Sequence, residues 1–157
     1  MSMFDVIVIG GGHAGCEAAH ASARLKNNVA LITLKKDGIG QMSCNPAIGG
    51  IGKSHLAREI DALDGLMSKI ADHSALQRRK LNARKGPAVQ ATRIQTCRDT
   101  YKTKMQEAIF SHKNITVIEA MVSSLIVKDD LVLGVRIDSD NKEVFAKSVV
   151  LTTGTFL

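Results

Sequence analysis

An α/β fold built on a parallel sheet is predicted for this 157-residue sequence by three observations. Apolar runs suited to strands buried on both faces occur at Val6-Ile7-Val8-Ile9, at Val29-Ala30-Leu31-Ile32 and, late in the chain, at Ser148-Val149-Val150-Leu151. The first run is followed at once by the turn Gly10-Gly11-Gly12-His13-Ala14-Gly15. Between the first two runs, Ala14, Ala18, Ala19, Ala21 and Ala23 suit a close-packed helix. Strand, turn, helix and strand within about 30 residues make a βαβ unit.

The glycines Gly10, Gly12 and Gly15 stand at the first, third and sixth places of G-x-G-x-x-G, the dinucleotide-binding turn. Gly10 permits the tight turn, Gly12 lets backbone approach a pyrophosphate, and Gly15 lets helix and strand pack closely. The first-turn N–H groups and the positive end of the helix dipole then face the phosphates, with His13 and Ala14 supplying backbone and His13 positioning the loop rather than shuttling protons. The acidic residue that usually holds the ribose about 20 residues on is absent, and Thr33 stands in its place within Ile32-Thr33-Leu34-Lys35-Lys36. This argues against a plain NAD site without itself selecting FAD.

From Lys35 to Lys53 the sequence predicts a long loop with Gly38, Gly40, Gly49, Gly50, Gly52 and Pro46, a length associated with function. Its end, Gly49-Gly50-Ile51-Gly52-Lys53-Ser54, is not a P-loop, because Ala47 occupies the place of the first required glycine and Asn45-Pro46 replaces the preceding strand. A helix is predicted from about Ser54 to Leu63, with Leu56, Ala57, Ile60 and Leu63 on one face and Gly65 ending it. Residues 67–81 fit helix or strand equally, and 82–87 form a basic turn. A second helix is predicted from about Thr92 to Phe110, then a third parallel strand at Ile115 to Ile118. Short strands at Leu125-Ile126-Val127, Leu131-Val132-Leu133 and Val144-Phe145, separated by Lys128-Asp129-Asp130 and Asp138-Ser139-Asp140-Asn141, predict an antiparallel meander. The run 148–154 returns as a buried parallel strand. The fold class is therefore a Rossmann-like parallel sheet with an inserted antiparallel β-meander. The chain stops directly after that strand, and a doubly wound sheet needs layers on both faces, so 1–157 is expected to be the N-terminal part of a larger protein.

The composition is that of an ordinary globular chain, 45% hydrophobic and 23% charged. No apolar run approaches the roughly 18 residues of a membrane helix, no signal-peptide pattern precedes Phe4, and a cytoplasmic location is expected. Three cysteines, Cys16, Cys44 and Cys97, without C-x-x-C or a histidine at ligand spacing, support neither a disulfide framework nor a metal site. Cys16 is expected in the core, Cys97 in the core or on a helix flank, and Cys44 lies on the glycine-rich loop. Charge is unevenly placed. From Leu76 to Lys104 nine Lys or Arg face Asp99 alone, a net +8, which leaves −2 for the rest of a chain whose total is +6. Such a window suits a polyanionic partner, or else a solvated face or subunit interface.

These elements together resemble the FAD-binding domain of the glutathione-reductase-like flavoproteins. Four motifs narrow the resemblance: Gly10-Gly11-Gly12-His13-Ala14-Gly15-Cys16-Glu17-Ala18-Ala19; the loop from Gly40-Gln41-Met42-Ser43-Cys44-Asn45-Pro46 to Lys53; Lys85-Gly86-Pro87-Ala88-Val89 with Ala91-Thr92-Arg93; and Leu151-Thr152-Thr153-Gly154-Thr155-Phe156-Leu157. They closely match the MnmG (GidA) family, and the similarity spans essentially the whole chain. The long glycine-rich loop is its most diagnostic part.

The resemblance implies an FAD enzyme that acts with the GTPase MnmE to modify C5 of the wobble uridine of certain tRNAs. In that family methylenetetrahydrofolate supplies the carbon, glycine or ammonium the amine, and NADH the reducing equivalents. The family also implies a homodimer. Carried over by position, Gly10 to Gly15 hold the FAD pyrophosphate, Thr33 takes the ribose position, Val122 meets the adenine through its backbone, and Gly154 closes the site. Cys44 is the loop cysteine implicated in activity. By its own chemistry rather than by the resemblance, Lys53 at the start of a helix is expected to assist electrostatically. The NADH region, a second important cysteine and the region contacting MnmE are expected beyond Leu157. Arg78, Arg79, Arg84, Lys85 and Arg93 are expected to meet tRNA phosphates, which position a nucleic acid without reading its sequence. The alternatives are a related flavoprotein, such as a folate-dependent tRNA uridine methyltransferase or another oxidoreductase, and a noncatalytic nucleotide-binding module.

Overall fold

The structure, a computed structural model, describes residues 3–138 and 142–154. The elements in order are β1 (Phe4–Ile9), α1 (His13–Arg24), β2 (Val29–Thr33), β3 (Ala47–Gly49), α2 (Lys53–Ala62), α3 (Leu66–His73), β4 (Ala75–Leu81), β5 (Ala91–Thr96), α4 (Arg98–Phe110), β6 (Ile115–Glu119), β7 (Val122–Lys128), β8 (Leu131–Ile137) and β9 (Lys142–Leu151). The chain divides into two compact units, one of residues 1–40 with 107–157 and one of residues 41–106.

The first unit holds a six-stranded sheet in the order β6-β2-β1-β9-β8-β7. β1, β2, β6 and β9 run parallel, with Val8 opposite Leu31 on one side and Val150 on the other. The apolar runs are buried as their composition requires: Ile7, Val8, Val29, Ala30 and Leu31 are fully enclosed. Each such Val, Leu or Ile side chain contributes about 2 kcal/mol by its removal from water. The small residues Cys16, Ala19 and Ala23 form the buried face of α1, which packs on β1, β2, β6 and β9. On the sheet's other face Ile7, Ile9, Ala30 and Ile32 join Val135, Ile137, Val144 and Ala146 in one cluster.

β7 and β8 form a hairpin whose connecting residues Asp129 and Asp130 are both left-handed, at φ 50° and 61°. Two such residues give the primed turn whose twist matches the strands. The last strand of the expected meander and the return strand prove to be one element. Residues 142–145 of β9 pair antiparallel with β8, and from Phe4 opposite Ala146 to Ile9 opposite Leu151 the same strand runs parallel to β1. Beyond Phe145 it has β1 as its partner on one edge, so Ser148 to Leu151 are half-buried or exposed rather than buried as expected, with Leu151 64% exposed. Residues 139–141 of the expected turn and 155–157 of the final motif lie outside the described residues.

The second unit holds a three-stranded antiparallel sheet in the order β3-β5-β4, with α2 and α3 packed on it. It corrects three expectations. The predicted unbroken loop 35–53 contains β3, preceded in the first unit by a 3-10 turn at Lys36–Gly38. Gly65 does not end the helix before it. Asp64 takes the left-handed position at φ 66°, Asp64 N–H bonds Asp61 O and Gly65 N–H bonds Ile60 O, so Gly65 becomes the cap from which α3 starts. The Lys69 ammonium pairs with the Asp64 carboxylate. The helix predicted from Thr92 begins instead at Arg98, because Ala91–Thr96 pairs with both β3 and β4. Arg93 is therefore a strand residue and does not share a helix with Arg98.

Asp5 ties three strands of the first unit. Its carboxylate accepts the Lys147 ammonium at 2.7 Å and the Asn28 N–H at 2.8 Å. These two bonds, the lysine's first, hold the carboxyl below its ordinary value of 3.8. A group whose folded-state value is depressed stabilises the fold above its unfolded value and loses that contribution as pH falls. Asp5→Asn is expected to lower the urea midpoint near neutral pH, and the gap from the parent is expected to close as pH falls below 3.8.

Candidate functional site

Where β2 and β6 lie to one side of β1 and β9 to the other, the strand order reverses at the carboxyl ends of β1 and β9. Ligands of open α/β sheets sit in the crevice at such a switch point. The turn from Gly10 to Gly15 occupies it. Gly10 has φ 109°, its N–H bonds Ile32 O at 2.8 Å, and a side chain there would run into the Thr152 carbonyl. A side chain at Gly15 would run into the Gly10 carbonyl. A methyl on Gly11 would lie 2.7 Å from Thr33 Oγ1 and 2.9 Å from Ile39. Gly12 differs, since a methyl there meets nothing within 4 Å. The turn is thus packed tightly on its inner side and open at the cap of α1, with Gly12 and Ala14 exposed.

No side chain caps α1 and no acidic residue sits in its first turn. By helix geometry the Ala14 and Gly15 N–H groups have no acceptor within the helix, so a bare, positively polarised terminus meets the open space beside Gly12. This arrangement fits the pyrophosphate of a dinucleotide. The half-buried His13 is the first helical residue. Cys16 is buried, donates to Gly11 O at 3.5 Å, and has its thiol pushed up to about 12 by that burial. It is a packing residue.

Thr33 ends β2 and lies over Gly11. Glu119, opposite it at the end of β6, accepts the Lys36 N–H at 2.7 Å. The carboxylate absent from Thr33 thus exists one strand away, where it pins the chain leaving β2. Ala120 N–H bonds Thr33 O at 2.9 Å, and Val122 opens β7, half-buried against the apolar cluster. Gly154 is exposed with φ 77°. Thr152, quoted in a sequence motif but given no role there, holds the turn closed: its hydroxyl lies 2.7 Å from Ile9 O and 3.2 Å from Gly10 O, and its N–H bonds Ile9 O at 2.9 Å.

In the second unit, Cys44 is exposed on a bend before β3. The carbonyls around it are gripped from three elements. Arg98 Nη2 donates to Cys44 O at 2.7 Å, Thr96 donates its N–H and hydroxyl to Pro46 O at 2.8 and 3.0 Å, and Lys53 Nζ donates to Ala47 O at 3.2 Å. Lys53 starts α2, after three glycines of positive φ, Gly49, Gly50 and Gly52. Ser54 supports the same turn, its hydroxyl donating to Thr92 O at 2.6 Å and accepting the Gly50 N–H at 3.0 Å. Arg98 was counted among the basic residues, yet nothing in the sequence signals its hold on Cys44. Cys97 takes the helix-flank place of the two expected for it. It is half-exposed at the start of α4, and the Thr100 hydroxyl, then the Thr100 N–H, hold its thiol below the ordinary 9.0.

The five basic residues expected to meet tRNA are all exposed, yet they separate by face. Arg78 stands opposite Ile94 on the side that carries α2 and α3, and its guanidinium pairs with Asp72 at 2.9 Å. Arg79 stands opposite Arg93 on the other side. Arg79, Lys80, Arg84 and Lys85 line an open hollow of about 780 Å³ with Ile51, Leu81, Asn82 and Ala83. The hairpin loop beside it is braced by Asn82 Nδ2 to Val89 O and Gln90 Nε2 to Lys85 O, both 2.9 Å.

Topology, switch-point turn and bare helix terminus define a Rossmann-type domain of the class found in FAD-dependent oxidoreductases. The fold is shared with PqsL of Pseudomonas aeruginosa, described as a probable FAD-dependent monooxygenase, at a TM-score of 0.65 and 15% identity over 94% of this chain and 42% of that one. More specifically, the family model for glucose inhibited division protein A matches residues 5–157, and the chain belongs to that family. It is 52% identical over its whole length to the tRNA uridine 5-carboxymethylaminomethyl modification enzyme MnmG of Wolinella succinogenes, and 52% identical over 98% of its length to that of Zymomonas mobilis. Aquifex aeolicus GidA superposes at a TM-score of 0.94 with 49% identity, over 98% of this chain and 25% of that one. The chain spans about a quarter of the length of these relatives.

Gly12→Ala is expected to cost about 1 kcal/mol or less in chemical denaturation, as at a glycine cap, yet to weaken FAD binding at least about tenfold by filling the open cradle. Gly15→Ala is expected to cost about 2 kcal/mol or more, since the methyl overpacks against backbone. Iodoacetamide at mildly alkaline pH is expected to label Cys97 in the native protein and to reach Cys16 only after denaturation, as peptide mass spectrometry will read.

Proposed function

We propose that this protein is an FAD-dependent enzyme that, together with the GTPase MnmE, installs an aminomethyl or carboxymethylaminomethyl group at C5 of the wobble uridine of tRNA. The observation that carries the reading is the 52% identity to the Wolinella enzyme over all 157 residues, a span that includes the open glycine cradle. Methylenetetrahydrofolate is the carbon donor, glycine or ammonium the amine donor, and NADH the reductant. Bound at the turn, FAD supplies the redox chemistry. The chain's own residues bind and orient: Gly10 to Gly15 with His13 and Ala14 hold the pyrophosphate, Thr33 the ribose, the Val122 backbone the adenine, and Gly154 borders the site.

Cys44 is the nucleophile of this reading, and its support is that the backbone around it is fixed while its thiol is exposed. Lys53 assists by fixing the same loop through the Ala47 carbonyl. The cations of residues 79–93 meet tRNA phosphates. The working form is a cytoplasmic homodimer. Among the described residues no helix is long and apolar enough to cross a membrane.

The test is reconstitution of the full-length protein with MnmE, a tRNA transcript, methylenetetrahydrofolate, glycine and NADH, with nucleoside mass spectrometry of the product. A flavin absorbance spectrum, released FAD and a modified wobble uridine are expected, with Cys44→Ala abolishing product while retaining the flavin. An enzyme that carries flavin but leaves the uridine unchanged, or methylates it, overturns the reading.

A further inference from the structure

The antiparallel pairing of β4 with β5 sets two arginines directly opposite each other, Arg79 and Arg93, and both are exposed. Directly opposed residues share a face with Cβ atoms about 5 Å apart, and like charges so placed destabilise a sheet. Among the described residues no carboxylate pairs with either guanidinium, whereas Arg78, one residue earlier and on the other face, has Asp72. The third member of the same row across the sheet is Gly49, opposite Arg93. A methyl there would run into the Thr92 carbonyl and the Arg93 Cα, so the position is held to glycine and the row offers bare backbone beside two guanidinium groups. Arg79 also lines the hollow that holds Lys80, Arg84 and Lys85, with no acidic side chain among its lining residues.

We infer that Arg79 and Arg93 form a two-arginine clamp on a single phosphodiester of the RNA backbone, with Arg84 and Lys85 meeting the neighbouring phosphates and Arg78 taking no part. Two planar guanidinium forks side by side match the two non-bridging oxygens of one phosphate. The occupant is a polynucleotide backbone rather than a free nucleotide because the hollow is open, its cations follow one another along the hairpin, and no aromatic ring lines it to stack a base. The sheet thus tolerates a repulsive pair that the ligand relieves. This inference rests on the tRNA reading above and deepens it by separating the basic residues into a binding row and a paired one.

The test measures binding of a tRNA transcript to the full-length protein across a salt series, for Arg79→Gln, Arg93→Gln, the double variant, and Arg58→Gln as a control on α2. Each single variant at the clamp is expected to bind about tenfold more weakly, the loss of one charge-assisted contact. The double variant is expected to lose clearly less than the product of the two, since one phosphate is shared, and its log–log salt slope is expected to fall by about one. Arg58→Gln is expected to match the parent. In thermal melts without RNA, Arg79→Gln is expected to equal or exceed the parent, because the opposed charges are relieved.

Wild-type protein that fails to bind tRNA refutes the tRNA reading itself. Wild-type binding with unchanged affinity in the variants, or strictly multiplicative losses, refutes the clamp alone. A lower melting temperature for Arg79→Gln assigns the pair to structure and also overturns it. Displacement of the transcript by millimolar ADP, lost in the double variant, assigns the row to a free nucleotide instead.

Discussion

The first unit depends on one close crossing, that of residue 152 over residues 9 and 10. Gly10, Gly15 and Thr152 meet so tightly that a methyl on either glycine collides with backbone, while the Thr152 hydroxyl reaches the Ile9 and Gly10 carbonyls. Buried carbonyls require partners, and Thr152 supplies them here: its N–H bonds the Ile9 carbonyl, and its one hydroxyl proton lies within reach of that carbonyl and of Gly10's. The G-x-G-x-x-G turn is thus completed by a residue some 140 positions away. Once its inner side is locked, Gly12 is free to present bare backbone outward.

The second unit solves a different problem. A loop rich in glycine is entropically costly to order, and an exposed cysteine on it has no packing of its own to hold it. The fold fixes it through the carbonyls rather than the side chain, with Arg98, Thr96 and Lys53 each taking one. The thiol stays exposed and the backbone does not wander. Lys53 and Ser54, the residues that make the sequence resemble a P-loop, are both engaged with backbone.

The parallel core was legible because its signals are local: apolar runs at Val6 to Ile9 and Val29 to Ile32, glycines at fixed spacing, and alanines between them. The turn's outer geometry followed from the same residues. What the sequence concealed is what depends on distant pairing. Ala91–Thr96 reads as the start of a helix until β3 and β4 supply ladders on both sides, and Asp64 takes the left-handed place that Gly65 suits better by propensity. The face on which a strand arginine stands is set by register, so Arg78 and Arg79 look alike in sequence and differ in the fold. Thr152, Arg98 and Glu119 act through hydrogen bonds to residues far off in the chain, for which a sequence holds no periodic signal.

The double pairing of β9 also bears on the order in which the chain folds. β1 is made first and β9 last, and the parallel ladder between them joins Phe4 to Ala146 and Ile9 to Leu151. At translation rates of roughly 5–20 residues per second, β1 waits on the order of ten seconds for its neighbour on that side. Residues 41–106 form a contiguous unit whose longest strand pairing, Ala47 opposite Gln95, spans about a third of that separation. Contacts of long sequence separation form slowly, so the inserted unit is poised to fold on the emerging chain while the glycine turn at the N-terminus stands incomplete. Nascent Val6 to Ile9 is apolar and unpaired on one edge through that interval, the condition in which a strand is open to wrong pairing.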